Sequence, residues 1–114
     1  MSDDHLSRQL EAGEVLFLQG QRGSAAFVIQ SGAIEIYAGP EDARQVIAVL
    51  GVNDIFGEMA LLGDAVRSAS ARATVPTSLM VVTPEHLNER LLGADPMTRH
   101  LLRTVVLRCR QMLA

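Results

Sequence analysis

Phe27-Val28-Ile29-Gln30-Ser31-Gly32-Ala33-Ile34-Glu35-Ile36-Tyr37-Ala38-Gly39-Pro40-Glu41-Asp42 reads as two β-strands with a tight turn after each. The apolar run at 27–30 meets Ser31-Gly32, residues 34–37 alternate with period two, and Gly39-Pro40 turns the chain again. Outward from there, residues 45–50 and 77–83 are further β-rich runs, and Gly13, Gly20, Gly23, Gly32 and Gly51 punctuate the spaces between runs. Many short strands with turn signals describe a sandwich or barrel. At Thr83-Pro84 the period becomes helical. Thr83 suits a helix N-cap, Pro84 the first position and Glu85 the positive N-terminal end, with Gly93 as the expected stop. Asp95-Pro96 repeats the start signal. At about 100° per residue, Met97, Leu101, Val105 and Met112 share a broad face with Leu102 and Cys109 beside them, while Arg99, Arg103 and Arg110 cluster opposite.

At 114 residues, with 48% hydrophobic and 20% charged residues, the chain is expected to form one compact domain rather than a disordered segment. Uncharged stretches stay far short of the ~20 apolar residues of a membrane span. The acidic start Met1-Ser2-Asp3-Asp4-His5 is unlike a secretory signal. A lone Cys109 allows no internal disulfide or cysteine-rich zinc site and suits a reducing cytoplasm. The net charge of −3 argues against direct nucleic-acid binding. His5, His86 and His100 lack the spacing of a metal site, and Cys109 reads as a small buried hydrophobe.

One segment departs from the strand-and-turn pattern: Phe56-Gly57-Glu58-Met59-Ala60-Leu61-Leu62-Gly63-Asp64-Ala65-Val66-Arg67-Ser68-Ala69-Ser70. Residues 58–62 are long enough for about one helical turn, with Gly57 just ahead. The backbone N–H groups at such a start suit an anion. Arg67 follows close enough for a returning loop to aim its guanidinium at the same anion, in a fork geometry matched to phosphate. Ser68 adds a hydroxyl, and Ala69 leaves room for the backbone to approach. Glu58 is an apt acceptor for a sugar hydroxyl. A carboxylate and an arginine so placed suit a ligand with both a hydroxyl and a phosphate. The competing readings are a solvated carboxylate for Glu58 and a surface salt bridge for Arg67.

Phe56-Gly57-Glu58-Met59-Ala60-Leu61 followed by Arg67-Ser68-Ala69 resembles the phosphate-binding cassette of cyclic-nucleotide-binding domains. That family includes the bacterial catabolite activator, protein kinase A regulatory subunits and cyclic-nucleotide-gated channels. Gly13-Glu14, Gly20, Gly23, Phe27-Val28-Ile29, Ser31-Gly32 and Asp54-Ile55-Phe56 match family turn and strand positions in order. The resemblance implies a mainly β fold, a sandwich or jelly-roll barrel of about eight strands with two C-terminal helices. It implies a single domain over residues 1–114, with a β-roll at 8–83, the cassette at 56–70, and helices at 84–114 forming hinge and lid. It assigns Glu58 to the ribose 2′-hydroxyl and Arg67 to the cyclic phosphate, with Gly57, Ala60, Ser68 and Ala69 completing the pocket. Ser68, where Thr accompanies preference for cGMP, leans toward cAMP. Asn53 stands where the family often has Gly, and Asn also tolerates the left-handed region. Phe27 stands where a Tyr is common.

Two further assignments stay open. Arg108, at the edge of the apolar face of the last helix, either stacks on the purine or lays its stem over apolar surface, and Arg110 takes that place if the register slips. Ile47 and Val49 either wall the base pocket or pack in the core. The expected function is reversible binding of cAMP, or of cGMP, by a sensor module that is not an enzyme and acts on an unknown protein effector. The alternatives are a sensory piece of a larger DNA-binding regulator or channel, and a nucleotide-free interaction module of the same fold.

Overall fold

The computed structural model describes residues 7–62, 65–86, 89 and 95–113, and only the backbone at 62, 102 and 106–113. Among these residues the strands are β1 (Ser7–Leu10), β2 (Val15–Phe17), β3 (Arg22–Gly23), β4 (Ala26–Ser31), β5 (Ile34–Ala38), β6 (Gln45–Leu50), β7 (Ile55–Phe56), β8 (Ala65–Val66), β9 (Ser70–Ala73) and β10 (Thr77–Val82). Helix α1 spans Pro96–Leu113, and short 3-10 helices form at Glu41–Ala43 and Glu58–Leu62. One sheet has the order β1-β10-β4-β7, the other β2-β9-β5-β6, and β3 pairs with β8 as a separate ribbon. The fold is thus the expected antiparallel, jelly-roll type, with ten described strands rather than about eight. Three of the ten, β3, β7 and β8, have only two residues each, too short to show any periodicity.

The core lies between the two four-stranded sheets. Leu10, Phe27, Ile29, Phe56 and Leu79 face inward from one, and Ile34, Ala71 and Ala73 from the other. Period two decides which residues these are. In the β5–β9 register, Ile34 opposes Ala73 and Ile36 opposes Ala71 on the core side, while Glu35 opposes Arg72 on the outer side. There Glu35 accepts a hydrogen bond from Arg44 Nε at 3.0 Å and lies 3.8 Å from Arg72 Nε. Tyr37 is buried too, its hydroxyl donating to the Glu41 carboxylate and its ring beneath Arg44, 5.9 Å away. Burial, reinforced by Glu41, raises the Tyr37 phenol above its ordinary pKa.

The turn after β6 carries the chain between sheets. Asn53 adopts φ +74°, as its residue type allows, donates its N–H to Ile29 O at 2.8 Å, and is followed by Asp54, whose carbonyl accepts Ile29 N–H at 3.0 Å. The helix caps are as expected. His86 N–H donates to Thr83 Oγ1 at 3.1 Å, and Thr98 N–H donates to Asp95 Oδ1 at 2.7 Å, holding that carboxyl below its usual pKa. Residues 84–86 are helical, whereas the expected stop at Gly93 lies outside the described residues. Helix α1 lies against the Glu58–Leu62 3-10 helix. The apolar face read from the sequence is turned to solvent where described: Met97 is 80%, Leu101 61% and Val105 50% exposed. Opposite, Arg103 is exposed and Arg99 half-buried. No described helix is long and apolar enough to cross a membrane.

Gly32 marks the tightest approach of a glycine to neighbouring backbone, 2.6 Å to Pro76 O from the place a Cβ would take. At φ +94°, a Cβ there would stand 2.4 Å from Thr77 Oγ1 and 2.7 Å from Thr77 Cα. Gly13, at φ +84°, has nothing within 4 Å of the same position. Gly13→Ala is expected to cost about 1–2 kcal/mol of left-handed strain. Gly32→Ala adds a backbone collision and should cost clearly more. Urea unfolding with equal stability losses for the two variants would refute this account of the turn.

Candidate functional site

Gly57 leaves β7 at φ +73°, and the Glu58–Leu62 helix begins at once, with Ala60 N–H donating to Gly57 O at 3.1 Å. Ala60 is buried under this turn. Glu58 is half-buried, and no hydrogen bond or ion pair with another described residue engages its carboxylate. Its oxygens are not among the buried unpartnered side-chain atoms, so they reach solvent, and the solvated carboxylate weighed from sequence fits this position as well as a ligand acceptor does.

The β3–β8 ribbon then brings the chain back. Arg22 opposes Val66 and Gly23 opposes Ala65, so Arg67 emerges beside the loop between β2 and β3. That loop holds its backbone on both sides: Arg67 N–H donates to Gln21 O at 2.7 Å, and Gly20 N–H donates to Arg67 O at 2.9 Å. The side chain turns inward and is only 9% exposed. Its Nη2 donates to Ala25 O at 2.9 Å, and its Cζ lies 4.2 Å from the centroid of the Phe17 ring. The guanidinium is thus inside the molecule rather than on the surface.

Two glycines make that position available. A Cβ on Gly23 would stand 2.4 Å from Arg67 Nη2 and 2.7 Å from its Cζ, and one on Gly57 would stand 2.9 Å from Nη1. The guanidinium therefore lies within reach of the start of the cassette helix, as the spacing of Gly57, Glu58 and Arg67 led us to expect. Gly23 differs from expectation. Its φ is not positive and it lies in a strand, so it serves close approach rather than a turn.

Ser68 is exposed and Ala69 half-buried at the end of the cassette. Ser70, buried next to them, accepts the Gln19 N–H at 2.8 Å and ties β9 to the same loop that holds Arg67. Ile47 and Val49 are 62% and 63% exposed on edge strand β6, so core packing is excluded as their role. The side chains of Arg108, Cys109, Arg110 and Met112 lie outside the described residues, as do His5, Gly63 and Asp64. Among the described residues, no group of three or more His, Cys, Asp or Glu is placed to hold a metal. Phe17 was not singled out from the sequence. Nothing local signals it, because its partner Arg67 lies fifty residues away and the contact forms only where the β3–β8 ribbon meets β2.

Comparison with known proteins agrees with this geometry. The family model described as cyclic nucleotide-binding domain matches residues 7–92. The cAMP-dependent protein kinase regulatory subunit of Mycosarcoma maydis is 39% identical over 106 residues, covering 88% of this chain and 20% of that protein. The chain spans about a fifth of the length of the first curated relatives it matches. Among solved structures, a half-site-occupied form of EAL enzyme Bd1971 superposes with TM-score 0.85 at 32% identity, over 95% of this chain and 97% of that one. The catabolite activator protein of Thermus thermophilus gives TM-score 0.74 at 30% identity, over 94% of this chain and 50% of that one. A buried cassette arginine, a helix start beside it, an antiparallel β-roll around both and these matches agree: the chain belongs to the cyclic nucleotide-binding domain family.

Proposed function

We propose that this chain binds a cyclic nucleotide reversibly as a sensor, with cAMP favoured over cGMP, and passes the occupied state to a protein effector or neighbouring domain. The observation that carries the reading is the position of Arg67, held at the start of the Glu58–Leu62 helix by Ala25 O, Phe17 and the two glycines. Arg67 binds the cyclic phosphate together with backbone around Gly57 and Ala60, and Ser68 and Ala69 close the phosphate end. Glu58 accepts from the ribose 2′-hydroxyl. Ile47 and Val49, exposed on β6, offer apolar surface to the base. EAL enzyme Bd1971 has been solved in cAMP-bound and cGMP-bound forms, with this chain covering 28% and 29% of it, which supports a purine cyclic nucleotide and leaves the choice to the pocket. Ser68 in place of Thr favours cAMP. The domain works by binding rather than catalysis: Glu58 is committed to the ribose and is not available to activate a hydrolytic water. A cytoplasmic setting suits the lone Cys109 and a diffusible nucleotide.

The C-terminal helices act as hinge and lid. Helix α1 lies against the cassette helix, and its open face of Met97, Leu101 and Val105 gains burial if it closes toward the ligand. Ligand then shifts the population toward the closed state, because it binds that state better. Arg108 is the candidate from this helix for the purine.

Isothermal titration with cAMP and cGMP tests the reading directly, and heat-silent titrations with both would leave a nucleotide-free interaction module in its place. Arg67→Ala should cost about 2–5 kcal/mol of binding, the largest loss of any single substitution. Arg67→Lys should recover only part, since an ammonium lacks the planar fork. An Arg67→Ala variant within twofold of wild type sinks the cassette assignment. Glu58→Gln should cost about 1–3 kcal/mol and narrow the gap between cAMP and its 2′-deoxy analogue. Equal wild-type affinity for those two ligands means that Glu58 does not read the ribose. Truncation after Leu102, in a domain shown by circular dichroism to fold, should speed dissociation of a fluorescent cyclic nucleotide and weaken cAMP-over-cGMP discrimination. An unchanged off-rate makes the helix a strut rather than a lid.

A further inference from the structure

All three phenylalanines of the chain form one cluster, and one cation lies over two of them. The ring centroids of Phe17 and Phe27 are 6.1 Å apart, those of Phe17 and Phe56 6.2 Å, and those of Phe27 and Phe56 5.5 Å. The three rings come from β2, β4 and β7, so both large sheets contribute. Arg67 Cζ lies 4.2 Å from the Phe17 centroid and 5.9 Å from that of Phe27. A cation gains from an aromatic face within about 6 Å, so Phe27 stands at the limit and Phe17 well inside it. Phe27 and Phe56 are buried in the core, whereas Phe17 is only partly buried and packs between that core and Arg67.

We infer that Phe17 is a positioning residue for the phosphate contact: its ring sets the plane of the Arg67 guanidinium before ligand arrives. This rests on the reading of Arg67 as the phosphate ligand. An arginine side chain is long and rich in rotamers, and ordering it at the moment of binding weakens affinity. Here the ordering precedes the ligand. The Phe17 ring supports one region of the cation, Ala25 O fixes Nη2, and the absence of a Cβ at Gly23 and Gly57 lets the group lie in the gap. Stacking engages the face of a planar cation and hydrogen bonding its edge, so support from the ring does not compete with donation to a phosphate. Phe17 is in turn kept in place by Phe27 and Phe56, which makes the orientation of the site's arginine a consequence of core packing.

The test separates an aromatic support from ordinary packing. Phe17→Leu, Phe17→Met and Phe17→Tyr are titrated with cAMP by calorimetry, alone and combined with Arg67→Lys, with thermal unfolding followed on each. Phe17→Leu and Phe17→Met should each weaken cAMP binding about tenfold, and Phe17→Tyr should stay within about threefold because the ring face is kept. In the Arg67→Lys background, where no planar cation is left to align, the same Phe17→Leu and Phe17→Met changes should cost less than about twofold. In the ligand-free wild type, ring current from Phe17 should shift the Arg67 Nε–H proton signal, and Phe17→Met should abolish that shift. If Phe17→Leu does not fold, Phe17→Met, which retains flexible apolar volume, decides the matter. Losses of equal size in the wild-type and Arg67→Lys backgrounds, or affinity within twofold of wild type for the folded ring-free variant, would overturn the inference while Arg67→Ala still abolishes binding. An Arg67→Ala variant that binds normally instead overturns the reading of Arg67 itself, whatever Phe17 does.

Discussion

Taking a guanidinium out of water costs several kcal/mol unless hydrogen bonds and a favourable environment replace the lost hydration. Arg67 is 9% exposed, and much of the β-roll around it supplies that replacement. The backbone of Arg67 is pinned to the loop between β2 and β3, its Nη2 donates to Ala25 O just before β4, and its cation lies over Phe17 from β2. A group held from several elements cannot relocate without disturbing all of them. The same burial lowers the dielectric around the charge, which strengthens its interaction with an anion brought to it.

The glycines divide into two kinds. Gly32 and Gly57 have positive φ, which an L side chain resists, and both also face close neighbours. Gly23 has ordinary backbone geometry and is a glycine for volume, because the space of its missing side chain holds Arg67. Site construction therefore draws on residues with no chemistry of their own. Ser70 and Gln19 belong to the same framework, fastening the strand after the cassette to the loop that grips Arg67.

Away from the site, the outer face of the second sheet is held by charge. Glu35 sits between Arg44 and Arg72, and the turn that carries Glu41 covers Tyr37. This arrangement stiffens the β5–β6 hairpin, and β6 is the strand that carries the exposed Ile47 and Val49. Helix α1 combines an exposed apolar face with a contact to the cassette helix. An element that is apolar, exposed and touching the site is suited to change its packing when the site is filled, since burying that face is favourable wherever a surface becomes available.

Local pattern was enough for the strands of five residues or more and for the caps at Thr83 and Asp95, because period and cap chemistry are properties of a few neighbouring residues, whereas the left-handed Asn53 came with the family resemblance. It was also enough to bring Gly57, Glu58 and Arg67 into one segment, where sequence spacing limits how far apart they can lie. The two-residue strands β3, β7 and β8 were illegible, since two residues contain no period. Four further features depended on folding: the burial of Arg67, its support by Phe17 fifty residues away, the use of Gly23 as space, and the exposure of Ile47 and Val49. Each is set by how the two sheets and the β3–β8 ribbon come together, and inward or outward placement at a sheet edge or a loop is decided by that packing rather than by the residue's own neighbours in the chain.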